Sequence, residues 1–204
     1  MKDLDAIMRR VMPRVVGAAH PVVVQAVRDA ASEFCRRTRL WREEDEFQIS
    51  NEGFEYIAVP PEANVFEIES ASFEGQLIEP ASIAWLDDNI AGWRTLTDAA
   101  SKWFTQSSPG QIHLVPAMAG KVELKLILEP ADDADRLPDF IVDLHAPIIA
   151  DGALADLYAM PADYGNPGLA QYHASRFQSR LDTLTGAELR GQQGAVIRTR
   201  PQFL

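Results

Sequence analysis

The hydrophobic period of this chain changes twice, from about 3.6 residues to 2 and back again, and that double change limits the folds open to it. In "HPVVVQAVRDAASEFCRRTRLW", Val23, Val27, Ala30 and Phe34 recur at i, i+4, i+7 and i+11, with Pro21 at a first helical position. The opposite face carries Arg28, Asp29, Glu33, Arg36 and Arg37, its bases toward the end that the helix dipole favours. From Glu46 the period is two. "EFQIS" sets Phe47 and Ile49 against Gln48 and Ser50, and "FEYIAV" and "VFEIE" continue the alternation. "KVELKLILE" sets Val122, Leu124, Leu126 and Leu128 against Glu123, Lys125 and Glu129. These read as antiparallel strands with one wet face, with hairpin turns at Gly53, Gly75 and the "AMAG" before Lys121.

Helix returns after "EPADDADRLPD". In "FIVDLHAPIIADGALADLYAM", Ile141, Leu144, Ile148, Leu154, Leu157 and Tyr158 favour one helical face, and Pro147 either kinks it or starts a second segment. Gly152 and Ala153 leave room for another helix to come close. Asn166 before Pro167 is a cap signal, and Ala170, Ala174, Phe177, Leu181 and Leu184 form a nearly coiled-coil stripe behind it. The fold class that follows is α+β: a helical bundle interrupted by an inserted antiparallel β-sheet or sandwich, with an extended C-terminal arm. The expected boundaries are 1–44 and 131–190 for the bundle, 45–130 for the β-rich insertion and 191–204 for the arm. Within the insertion, "SIAWLDDNIAGWRTLTDAASKWFTQSSPG" is a long excursion whose Trp85, Trp93 and Trp103 are expected to anchor it onto the sheet.

A chain of 204 residues, 47% hydrophobic, can bury most of its unfolded surface. No stretch approaches the roughly 18 consecutive apolar residues of a membrane span. "MKDLDAIMRR" has acids where a signal peptide needs a basic start, so a soluble, unexported protein is expected. Cys35 is alone, which excludes a disulfide framework, and reads as a small buried hydrophobe on a helix. The formal net charge of -11 argues against a protein that grips nucleic acid through clustered Lys and Arg, though not against one that lets DNA slide past.

The search for chemistry finds little. His20 precedes a helix start, His113 alternates outward in a strand, and His145 and His173 sit on helices with no second His at i+3 or i+4. Each reads as an ordinary surface or interface histidine, with a spatial pairing of His145 and His173 left open. Asp87 and Asp88, and Asp132 and Asp133, lack the spacing of a calcium loop and read as solvated carboxylates. No nucleophile elbow, phosphate loop, dinucleotide fingerprint or paired-His helix motif is present. No catalytic residue, no metal and no cofactor is expected, and the chain reads as a non-enzyme.

Several of these pieces together resemble a known family. The helix "HPVVVQAVRDAASEFCRRTRLWR", the excursion "AGWRTLTDAASKWFTQSSPGQIHLVPA", the strand "KVELKLILEP", then "LPDFIVDLHAPIIADGALADLYAMP" and "NPGLAQYHASRFQSRL" are similar to the head-to-tail adaptor proteins of tailed bacteriophages, over residues from about 13 to 185. The resemblance implies a structural virion protein, assembled as a homo-oligomeric ring, expected to be a dodecamer, beneath the portal of a DNA-filled head. Its partners would be the portal protein and a tail or nozzle protein, with double-stranded DNA passing through without specific binding and no membrane involved. Its location would be the head-tail interface of the virion, and the host cytoplasm during assembly. It also makes "GQQGAVIRTRPQFL" the candidate portal-docking arm.

The arm's composition fits such a role by itself. With Gly191, Gly194 and Pro201, and with only Val196, Ile197, Phe203 and Leu204 as apolar anchors, it cannot offset its own ordering entropy and is expected to order on a partner. Arg190, Arg198 and Arg200 would meet acidic partner residues, and repetition around a ring would turn weak contacts into a strong joint. A bore lined by surplus Asp and Glu would repel phosphates and ease DNA passage. Two other function classes stand beside this one. A carbohydrate-binding β module would use Trp85, Trp93 and Trp103, and an unrecognised hydrolase would assemble distant carboxylates around His113 or His145.

Overall fold

The computed structural model describes residues 1–97 and 100–188. Along them run β1 (Lys2–Asp3), α1 (Asp5–Val11), α2 (His20–Thr38), β2 (Arg42–Ile49), β3 (Phe54–Tyr56), β4 (Ala63–Phe73), β5 (Gln76–Pro80), α3 (Ile83–Asn89), β6 (Trp103–Thr105), β7 (Gln111–Val115), β8 (Gly120–Pro130), β9 (Arg136–Leu137), α4 (Asp139–Ala159) and α5 (Pro167–Glu188), with short 3-10 turns at Met12–Arg14 and Trp93–Thr95. The fold is α+β, as the two changes of period predict. The chain forms two compact units: Met1–Trp41 with the described residues from Asp132 onward, which is helical, and Arg42–Ala131, which is β-rich.

In the helical unit, α2 has Pro21 in its first turn and Arg36 and Arg37 in its last, and buries Val23, Val27, Ala30 and Phe34. Each such side chain contributes about 1.5–3 kcal/mol on full burial. The helix stops where Arg39 turns left-handed, at φ 53°, and donates its N–H to the Cys35 carbonyl at 2.8 Å. Cys35 is buried on that helix. Gly152 of α4 sits where three helices meet. A Cβ there would lie 2.9 Å from the Ala30 Cβ of α2 and 3.0 Å from the Phe177 ring of α5, so a side chain would separate them. Asn166 caps α5 as its sequence position suggests, its Oδ1 accepting from the Leu169 N–H at 3.1 Å. Along α5, Phe177 and Leu181 are buried and Ala170, Ala174 and Leu184 partly so.

For α4 the structure resolves one open expectation and refines another. The helix runs through Pro147 as one helix, with no second segment. Of the six residues expected on its apolar face, Ile141, Leu154, Leu157 and Tyr158 are buried, Ile148 is partly so and Leu144 is 65% exposed, while Val142, Ala146, Ile149 and Ala153 are buried as well. The buried surface is wider than the expected stripe, because small alanines fill positions where helices approach closely. β1 and β9 form a two-residue antiparallel pair that the short sequences around them did not signal.

In the β-rich unit the strand order is β2-β8-β4-β5-β6-β7-β3, and neighbours are antiparallel except β5 and β6. β5 serves two partners. Its first half pairs with the end of β4, and its last residues, Glu79 and Pro80, pair with Trp103 and Phe104 of β6. Of the three expected hairpins only the one at Gly75 joins neighbouring strands. Glu74 and Gly75 both take positive φ, 48° and 76°, which is the two-residue turn that suits strand twist. Glu74 also accepts the Lys121 N–H at 2.7 Å. The turn at Gly53 connects β2 and β3, which lie at opposite edges of the sheet, and "AMAG" connects β7 and β8, which are not adjacent. Gly53 answers to a close approach: its φ is 72°, a Cβ would overlap that of Ala117, and its carbonyl accepts the Leu114 N–H at 2.7 Å.

β2 starts at Arg42, four residues before the alternation does. The acidic run Glu43 to Glu46 carries no apolar signal, yet it extends the ladder with β8, where Lys125 pairs with Glu44 at 3.5 Å and Lys121 with Glu46 at 3.0 Å. Charges on an edge strand also discourage further pairing.

Candidate interaction surfaces

The excursion around α3 folds onto its own small core of Leu86, Trp93 and Val115, with Ala81, Ile90 and Trp103 packed against it. Trp93 is 2% exposed, and its Nε1 donates to Asp87 at 2.8 Å. Trp85 and Trp103 meet at 5.6 Å with their planes tilted by 53°. The rings therefore anchor the excursion and do not make one flat platform for a sugar. Asp87 is an engaged acid. Arg94 first, and Trp93 second, hold its carboxyl below the usual range.

His113 lies on the less buried face of β7, as the strand alternation suggests, but is covered there by other rings. It stands between Phe54, at 6.4 Å, and Trp93, at 5.5 Å, and its Nε2 is enclosed without a hydrogen-bond partner among the described residues. Burial, and then Arg94, push its pKa down. His145 lies against the Phe34 ring at 5.1 Å, and burial lowers its pKa too. His173 is elsewhere, so the two helix histidines have separate partners. His20 is exposed at the start of α2. Among the described residues no group of three or more His, Cys, Asp or Glu could hold a metal ion, and no helix is long and apolar enough to cross a membrane.

The polar centre of the helical unit is Asp151 on α4. It is 3% exposed, and its Oδ1 is 2.9 Å from Nδ1 of His173 on α5, itself 4% exposed. Its Oδ2 accepts from Arg180 at 3.2 Å and lies 3.4 Å from Arg176. Tyr158 stacks on the His173 ring and Tyr172 meets it edge-on. Reading His173 as a surface histidine is thus wrong. The available signal was Asp151 itself, an acid inside the apolar run "PIIADGALADL" that burial obliges to find a partner.

This centre opens into a cleft of about 460 Å³ lined by Arg9, Arg10, Pro13, Arg14, Pro147, Ala150, Asp151 and Arg176. A shallower groove along α5 adjoins it, with Arg176 common to both and Tyr172 53% exposed on its wall. Arg and Tyr concentrated in this way are the composition of protein interfaces. Elsewhere on α4, burial, and then Asp29 and Glu33, raise the Asp156 carboxyl, although much of that side chain is open to water. The seven arm residues Arg190, Val196, Ile197, Arg198, Arg200, Phe203 and Leu204 lie outside the described residues.

Against this geometry stand the comparisons with known proteins. A family model described as SU10 adaptor protein matches residues 2–200, nearly the whole chain. Among curated proteins none matches.

Proposed function

Because the chain belongs to the SU10 adaptor protein family, whose members are structural adaptors of phage virions, we propose that it forms a ring, a dodecamer, that joins the portal of the DNA-filled head to the tail or nozzle. The observation that carries this reading is the extent of the family match, which runs through both the helical and the β-rich unit. The functional division is a helical bundle of residues 1–44 and 131–190, a β-rich insertion of 45–130, and the arm of 191–204 that docks on the portal. A ring needs a heterologous interface, in which one face of each copy meets a different face of the next. Two units of unlike character supply two such faces. Double-stranded DNA passes through the centre without specific contact, and surplus carboxylates keep its phosphates at a distance. Assembly takes place in the host cytoplasm.

In the arm, Val196, Ile197, Phe203 and Leu204 anchor on the portal while Arg190, Arg198 and Arg200 meet its carboxylates. Deleting residues 191 to 204 is expected to leave the thermal unfolding of the chain nearly unchanged and to abolish its attachment to portal-bearing heads, scored by sedimentation and negative-stain images. A truncated chain that still decorates heads removes the arm from the account, and full-length chain that never attaches removes the adaptor reading itself.

A further inference from the structure

The net charge of this chain is not spread over it. Residues 42–131 hold 16 acidic and 5 basic residues, a formal charge of -11, while the rest of the chain holds 14 of each. The β-rich unit thus carries most of the acid surplus: the described helical residues, 1–41 and 132–188, hold 14 acids and 11 bases, and Arg190, Arg198 and Arg200 beyond them make up the difference. Outside residues 42–131, 13 of the 14 basic residues are arginines, and four of them, Arg9, Arg10, Arg14 and Arg176, line the cleft above Asp151.

The lining of that cleft sets four arginines against one carboxylate. The carboxylate at its floor is already spent, Oδ1 on His173 and Oδ2 between Arg176 and Arg180. Arg9 donates its Nε only to the Asp5 carbonyl at 3.2 Å. Arg10 and Arg14 are exposed, and among the described residues neither has a carboxylate partner. Pro13 and Pro147 give the cleft stiff walls, so the guanidiniums converge on one concave spot.

We propose that this arginine cleft is the socket in which a second copy of the chain seats its acidic β-rich unit, so that each copy offers one socket and one filler to its neighbours. The inference rests on the ring reading and deepens it. Guanidinium forks match carboxylates bidentately, and a desolvated fork is screened less than an exposed one. The β-rich unit has 11 more carboxylates than cations, and the cleft sets Arg9, Arg10 and Arg14 beside a carboxylate that is already engaged. A nucleic-acid backbone is a continuous row of phosphates that a stripe of cations follows; a cleft of about 460 Å³ fits a few side chains instead. Socket and filler on different units make the contact heterologous, the kind that closes a ring.

The test uses full-length protein on portal-bearing heads. Arg10→Lys places a primary amine in the cleft, and a zero-length carbodiimide links that amine only to a carboxylate in direct contact. With equal parts of isotopically light and heavy chain, mass spectrometry is expected to find that amine joined to acids of residues 42–131 in a different copy. Links confined to one copy, links only to acids of the helical unit, or no link, each overturn the proposal. In parallel, Arg10→Glu with Arg14→Glu is expected to keep its helical circular dichroism and melting point while the number of copies per head falls at least tenfold. Normal copy number in this variant overturns the socket but leaves the adaptor reading standing, since wild-type chain still attaches. Normal copy number accompanied by loss of duplex DNA binding measured for the wild type makes the cleft a phosphate site instead.

Discussion

Replacing Asp151 with alanine is the most informative single change to the helical unit. The substitution takes away the acceptor of a buried His173 nitrogen and the counter-ion of two guanidiniums. Removing one partner of a buried hydrogen bond leaves the other desolvated and unsatisfied, which costs about 1–3 kcal/mol. Arg176 and Arg180 are 38% and 39% exposed, so water screens what they lose, and each of those contacts adds less than about 1 kcal/mol. Together these give about 3 kcal/mol, which for a unit of this size is a fall in melting temperature of about 10 °C. Urea unfolding followed by ellipticity at 222 nm measures it, since helix is confined largely to this unit. Asp151→Asn keeps an acceptor and the shape and is expected to lose about half as much. Joining Asp151→Leu to His173→Leu removes both polar partners, so the pair is expected to cost less than the sum of the two single changes. A loss below about 1 kcal/mol for Asp151→Ala, or strict additivity of the leucine pair, refutes the view that Asp151 holds α4 to α5 electrostatically.

Two further outcomes follow from the packing. Gly152→Ala gains about 1 kcal/mol of helix propensity but puts a Cβ 2.9 Å from that of Ala30, which is fixed to the α2 backbone, and overpacking of this kind costs about 1–3 kcal/mol. A net loss of about 1 kcal/mol is expected in the same unfolding assay, relieved when Ala30→Gly is added; an unchanged or higher stability of Gly152→Ala counts against the close approach. The second concerns pH. His113 has its pKa lowered in the fold, so its contribution to stability is complete above the unfolded value of about 6.5. As the pH falls through that value the unfolded chain takes up a proton that the folded one refuses, and the β-rich unit loses stability. Tryptophan fluorescence, through Trp93 beside the ring, is expected to report a midpoint that drops between about pH 7 and 5 in the wild type and stays flat in His113→Leu. Equal slopes in both would assign the effect to other groups.

What the sequence made legible, and what it hid, divide along a physical line. The α2 face, the Asn166 cap and the room at Gly152 are local facts, in which the residue type states the geometry it serves. Strand partnership is a non-local fact. Gly53 and "AMAG" look like hairpin turns because glycine marks a sharp bend equally well whether the two strands then pair or go to opposite edges. β2 was seen from Glu46 onward only, because an edge strand laced by ion pairs needs no alternation of apolar residues. For His113 the alternation named the correct face of β7 as the less buried one but could not show that Phe54 and Trp93 cover it. His173 and Asp151 stand 22 residues apart on two helices, and only the oddity of an acid in an apolar run pointed to the pair.

Net charge shows the same division in its sharpest form. Taken over the whole chain, -11 describes an acidic protein that keeps away from phosphates, and nothing more follows from it. The fold changes what the number means, because the described segments on either side of residues 42–131 come together as one unit with 14 acids and 11 bases, and most of the surplus remains with the insertion between them. A mildly acidic unit can still present a positive spot where arginines gather around a carboxylate that is already engaged, and α1, the turn after it, α4 and α5 bring this about around Asp151. Charges farther apart than about 8 Å are largely screened at physiological salt, so what a neighbour meets is the local arrangement and not the sum. Two copies that repel as whole molecules can therefore attract in one orientation, which is the condition an adaptor must satisfy to remain dispersed until it meets its place in a particle and then to close against its neighbours in a single way.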